Sequence, residues 1–153
     1  MKLDIQIDMA QVQKDLKKTQ LEMNRAISKS LLKTAQYGTQ IILDRTAKGV
    51  GYEGKFRAYS PAYRKAKAEG WNRAGSGRRA FGGDASGIVN LTVHGEMLSS
   101  IQQRSLGSNV VEIFFGRATE AKKAAFNNQK RKFFGFNQSE AGKLNKFFLK
   151  ELK

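Results

Sequence analysis

From Met9 to Ile42, apolar or small residues return at helical spacing: Met9, Val12, Leu16, Met23, Ala26, Ile27, Leu31, Ala35 and Ile42, with Lys and Gln filling the other face. Recurrence at three and four residues predicts one long amphipathic helical region over 8–48. Asp8 offers an N-cap with Gln11 three residues on, a variant capping box. Lys48-Gly49 closes the region as a basic last turn followed by a C′ glycine. A continuous helix of this extent is about 57 Å long, whereas a compact domain of this chain length is only about 38 Å across. The helix therefore either breaks, near Asn24 or Gly38, or projects beyond its own domain. A projecting stripe needs a partner to cover it, which makes Leu16 and Met23 the expected subunit-interface residues. Ahead of the helix, Leu3, Ile5 and Ile7 alternate with Lys2, Asp4 and Gln6, the pattern of a short half-buried strand.

After Gly49 the periodicity changes. Ser60 is a good N-cap and Pro61 fits the first helical position, so a short helix over 61–69 is predicted, ending at Gly70. Around it, residues 49–88 form a basic, glycine-rich segment, and Ala74-Gly-Ser-Gly-Arg-Arg-Ala-Phe-Gly-Gly reads as a loop that is costly to order. Regular structure is expected again over 89–153. A strand over Val89–Val93 comes first, then a short helix over Glu96–Ile101 with Met97, Leu98 and Ile101 inward. A hairpin turning at Gly107-Ser108-Asn109 follows, with Val110–Phe115 as its second strand. A helix over Thr119–Asn128 comes next, and Ser139 caps a last helix whose stripe is Ala141, Leu144, Phe148 and Leu152. Eight of the ten phenylalanines lie from Phe114 onward and read as core, with Phe133 and Phe134 anchoring the last helix to the sheet.

Length and charge narrow the function classes. The 153 residues suit one domain, 1–153. With 28 Lys+Arg against 13 Asp+Glu, the formal net charge is +15. Such a chain is drawn to nucleic acid, an anionic membrane or an acidic protein, and charge alone does not choose among them. Asp4 and Asp8 would interrupt any signal core, so no secretory peptide is expected. No apolar run approaches the roughly 20 residues that span a bilayer, and no membrane partner is expected. The absence of cysteine excludes disulfides and thiolate metal sites.

Candidate chemistry is sparse. Gly49-Val-Gly-Tyr-Glu-Gly matches the spacing of a dinucleotide loop but follows a helix end and precedes an extended basic segment, the reverse of the context that motif needs. His94 is the single histidine, and the carboxylates lack ligand spacing. No metal, cofactor or catalytic residue is expected, and the chain is not read as an enzyme. Lys55-Phe-Arg-Ala-Tyr59 and Tyr63-Arg-Lys65 interleave rings with cations, which suits either nucleic-acid phosphates and bases or an acidic protein surface.

Taken together, several blocks resemble one family. A helix ends near Arg45 and is followed by Gly51-Tyr-Glu-Gly-Lys-Phe-Arg-Ala-Tyr-Ser-Pro-Ala-Tyr-Arg-Lys, then by Asn90-Leu-Thr-Val-His-Gly-Glu-Met-Leu-Ser-Ser-Ile. Phe114-Phe-Gly-Arg-Ala and Arg131-Lys-Phe-Phe-Gly-Phe complete the set. Over roughly residues 30–150 this resembles the bacteriophage virion-morphogenesis and tail-completion proteins of the head–tail junction, although Trp71–Gly87 is longer and richer in glycine than that pattern. The resemblance implies an α+β subunit without catalysis, which matches a long N-terminal helical region, a small antiparallel sheet, a C-terminal helix and a long basic loop. It further implies a six-fold ring at the virion neck, assembled in the host cytoplasm and contacting the head connector or stopper and the tail terminator or tube. In such a ring the basic segment, with Lys55, Arg57, Tyr59, Tyr63, Arg64, Lys65, Lys67, Arg73, Arg78 and Arg79, would face channel DNA non-specifically or an adjoining ring. The alternative reading is a free-standing, non-specific nucleic-acid-binding module.

Overall fold

A computed structural model describes residues 8–69, 86–91 and 95–152. The expected strand at Leu3–Ile7, the loop carrying Arg73, Arg78 and Arg79, and Val93 with His94 lie outside the described residues.

Helix α1 runs unbroken from Met9 to Ala47, 39 residues. Asp8 caps it, its carboxylate accepting from the amides of Ala10 and Gln11. The Gln11 side chain completes no box; it donates to Asp15 one turn on. At the far end the Lys48 amide donates to the Arg45 carbonyl, and Gly49 takes the left-handed turn at φ 73°. Neither expected break occurs. Gly38 is a glycine for another reason: a Cβ there would sit 2.9 Å from the Phe136 ring. The missing side chain lets that ring pack onto the helix. From Met9 to Met23 every residue is exposed, so the first part of α1 projects, as the length argument allowed.

The rest is an α+β body built against the second half of α1. Strands β1 (Val50–Gly51) and β2 (Gly54–Lys55) form a small antiparallel hairpin. Helix α2 spans Pro61–Glu69. Its start is the expected one, with the Tyr63 amide donating to the Ser60 hydroxyl at 3.3 Å. Helix α3 is only Glu96–Ser99, because Ile101 already begins strand β3, Ile101–Ser105. That strand pairs antiparallel with β4, Val111–Phe115, in the register Ile101 opposite Phe115. Helices α4 (Ala118–Arg131) and α5 (Gln138–Glu151) follow.

Three expectations need correction. The described part of Val89–Val93 is not a strand: Leu91 has φ 55°, a left-handed backbone that no ladder accommodates. Its amide donates instead to the Tyr59 hydroxyl at 3.2 Å. The cap of α5 is Asn137, not Ser139, because Asn137 and Glu140 form a complete capping box. The buried stripe of α5 is also rotated. Glu140, Leu144, Phe147 and Phe148 turn inward, while Ala141 and Leu152 are exposed.

The core cluster joins Ile42, Met97, Ile101, Ala124 and Phe133. Phe133 is fully buried, and Phe134 packs its ring 4.7 Å from that of Phe115. Helix α5 is held along α1 by stacking of Phe147 on Tyr37 at 4.7 Å and by a Lys33–Glu151 ion pair at 2.6 Å. The junction of α1, α5 and the phenylalanine segment is closed by Arg45. Its guanidinium pairs with Glu140 and donates to the carbonyls of Phe133 at 2.6 Å and Gly135 at 2.9 Å.

Candidate binding cleft and basic aromatic face

The chain turns from β2 into α2 through Phe56, Arg57, Ala58 and Tyr59. This route brings Tyr59 and Tyr63, one helical turn apart, into contact at 4.7 Å between ring centroids. Two cations cover the Tyr59 ring, Arg131 at 5.0 Å and Lys67 at 5.3 Å. The Tyr59 hydroxyl accepts from Leu91, which ties α2 to the segment before α3. Burial and the neighbouring Tyr59 raise the pKa of the Tyr63 phenol, against the lowering influence of Lys67 and Arg131. Tyr63 therefore stays protonated, able to donate, through and above the physiological range.

These tyrosines form one wall of a cleft of about 500 Å³. Its floor is apolar, with Leu91, Met97 and Phe126, and its far wall is the face of α4 carrying Glu120, Lys123, Lys130 and Arg131. Phe126 is 58% exposed, and the Lys130 ammonium lies over its ring at 4.4 Å. Glu120 is almost wholly buried. One of its oxygens accepts from Lys123 at 2.7 Å, while Oε2 has no partner. Arg131 Nε is likewise buried without a partner. The cleft thus holds an acceptor and a donor that the chain leaves unsatisfied, a costly state unless something binds there.

The other sequence-predicted residues are distributed as follows. Lys55, Arg57, Arg64 and Lys65 are exposed along β2 and α2. Lys67 turns inward, donating to Asn90 Oδ1 at 2.7 Å, and serves the fold as well as the surface. Leu16 and Met23 stand on the projecting part of α1, 64% and 56% exposed. Phe133 and Phe134 belong to the core and touch no cleft. Sequence reasoning did not single out Glu120, Lys123, Lys130 or Arg131. The signal available was their spacing, which places them along one side of a helix that the pattern already predicted.

The arrangement supports binding more readily than chemistry. Among the described residues no group of three or more His, Asp or Glu side chains gathers as a metal site. The glycines of the dinucleotide-like pattern serve chain packing: a Cβ on Gly51 would lie 2.6 Å from the Lys132 carbonyl. That carbonyl accepts from the Tyr52 amide at 2.9 Å. No helix among the described residues is long and apolar enough to cross a membrane. No protein-family model, curated protein or solved structure matches the chain.

Proposed function

We propose that this chain is a structural subunit of the head–tail junction of a tailed bacteriophage, a tail-completion protein that assembles as a six-fold ring at the neck around the DNA channel. The observation that carries the reading is the projecting half of α1. It presents Met9, Val12, Leu16 and Met23 with exposures of 60, 39, 64 and 56% and no surface of its own chain to cover them. A free apolar helix on an otherwise packed body suits an assembly part better than a monomeric enzyme. The blocks that carry the resemblance also serve this body: Tyr59-Ser60-Pro61 opens α2, Met97 and Phe133 share the core, and Phe115 packs on Phe134.

Exposed Lys55, Arg57, Arg64 and Lys65 supply a basic face suited to weak contacts with phosphate backbone in a channel or with an acidic adjoining ring. The ring neighbours would be the head connector or stopper on one side and the tail terminator or tube on the other, in a virion assembled in the host cytoplasm. Negative-stain imaging of the purified protein, alone and mixed with tail tubes, tests this directly. Rings seated on tube ends are expected; tubes left bare at every protein concentration contradict it.

The second reading, a non-specific nucleic-acid-binding module, is favoured by the same exposed cations beside two stacked tyrosines. It predicts salt-sensitive DNA binding by a monomer and no affinity for tails.

A further inference from the structure

The projecting part of α1 cannot cover its own stripe. Met23 lies 19 residues before Ile42 on one unbroken helix, about 28 Å along the axis. Ile42 shares the core cluster with Met97, and Met97 also floors the cleft between α2 and α4. The stripe and the cleft therefore sit at opposite ends of one rigid element, and a chain cannot fold one onto the other.

We infer that the projecting helix of one copy docks its Leu16–Met23 stripe into the α2–α4 cleft of the next copy. The inference rests on the ring reading and names the acceptor surface within it.

Shape and charge both point this way. The cleft is the size of a few side chains, not of a helix, so it takes the apolar knobs of a helix lying across its mouth. Leu16 and Met23, one heptad apart, project about 10.5 Å from each other on the same face. Seen down the helix, that stripe is edged on one side by Asp15 and Glu22 and on the other by Gln13 and Gln20, with Lys14, Lys17 and Lys18 behind. The rim of the cleft is cationic, with Lys123, Lys130 and Arg131. In a chain of net charge +15, an acidic edge beside an exposed apolar stripe is an unusual pairing, and it meets its complement in that rim.

The unsatisfied cleft atoms fit as well. A carboxamide such as that of Gln20 can donate to Glu120 Oε2 and accept from Arg131 Nε, the two buried atoms that lack partners. Symmetric pairing of two projecting helices offers less. Antiparallel, it sets Asp15 and Glu22 of one copy against those of the other; parallel, it sets them against Gln20 and Ile27, with no cation in reach. A contact between two different surfaces is also the kind that closes into a ring.

The chain has no cysteine, so two introduced thiols report the contact cleanly. Leu16→Cys and Phe126→Cys both fall on exposed side chains that the core does not need. Under mild oxidation, a mixture of the two variants should give a covalent pair that neither variant gives alone. Light scattering run alongside separates the outcomes. If the protein assembles but the mixture does not cross-link, or if Leu16→Cys alone cross-links equally well, the docking is wrong while the ring stands. If the protein is monomeric at every concentration, with and without tail tubes, both fail. Charge exchange gives an independent readout: Glu22→Lys should weaken association about fivefold, and Lys130→Glu in the same chain should restore it. A double variant no better than the single one overturns the pairing.

Discussion

Phe133 is the side chain on which the body closes, fully buried among Ile42, Met97, Ile101 and Ala124. Its replacement by Ala should cost about 3–5 kcal/mol in chemical denaturation, while Phe134→Ala, half-buried against Phe115, should cost less. Equal, negligible losses would remove both from the core. Arg45 is the polar counterpart. Arg45→Met would leave the Glu140 carboxylate nearly buried without its cation, a loss of roughly 3 kcal/mol, and Glu140→Gln in the same chain should recover part of it. The residue scale also shows what a sequence can and cannot disclose. The Asp8 and Ser60 caps and the Gly49 turn were readable because each depends on neighbours within a few positions. Arg45 and Glu140 were not, because 95 positions separate the two ends of their contact. Gly38 misled for the same reason: as a helix residue it suggests a break, and only the distant Phe136 ring explains it. Asn137 could have been read as the cap of α5, since Glu140 stands at the right spacing; Ser139, two residues on, was a competing hydroxyl.

At the scale of elements, periodicity served helices and hairpins well and failed where the backbone departs from repeat. The β3–β4 hairpin lies where alternation and the Gly107-Ser108-Asn109 turn put it. Val89–Leu91 alternates just as convincingly, yet Leu91 turns left-handed to reach Tyr59. The binding cleft was half legible. Its tyrosine wall came from the aromatic-basic interleaving, but its α4 wall depends on how two helices meet, which no local pattern encodes. The pairing of α1 with α5 makes a pH-dependent prediction. Glu151 is held below its ordinary pKa of 4.5, first by the hydrogen bond from Lys33 and then by the surrounding lysine charges, against a small opposing effect of burial. A carboxylate with a depressed folded pKa stabilises above its unfolded value and loses that contribution as pH falls through the folded one. Lys33→Met should therefore melt below wild type near neutral pH, and the two melting curves should converge in acid. A difference that persists unchanged in acid would mean the pair is not its source.

For the whole molecule, the decisive feature is that α1 outruns the body it belongs to. Its second half is packed by α5 and both hairpins, and its first half meets nothing in its own chain. That half carries apolar side chains on a basic subunit, and the proposed ring gives it a place to go. The account therefore makes a joint claim, that the protein assembles and that it does so through residues 9–23. Light scattering on the wild type and on Leu16→Asp and Met23→Asp tests both parts at once. Both positions are exposed in the subunit, so neither change disturbs its fold. The account predicts a wild-type mass near six subunits, alone or on tail tubes, and a fall toward the monomer for each folded variant. A wild type that is monomeric under both conditions, or folded variants that keep the wild-type mass, would contradict it.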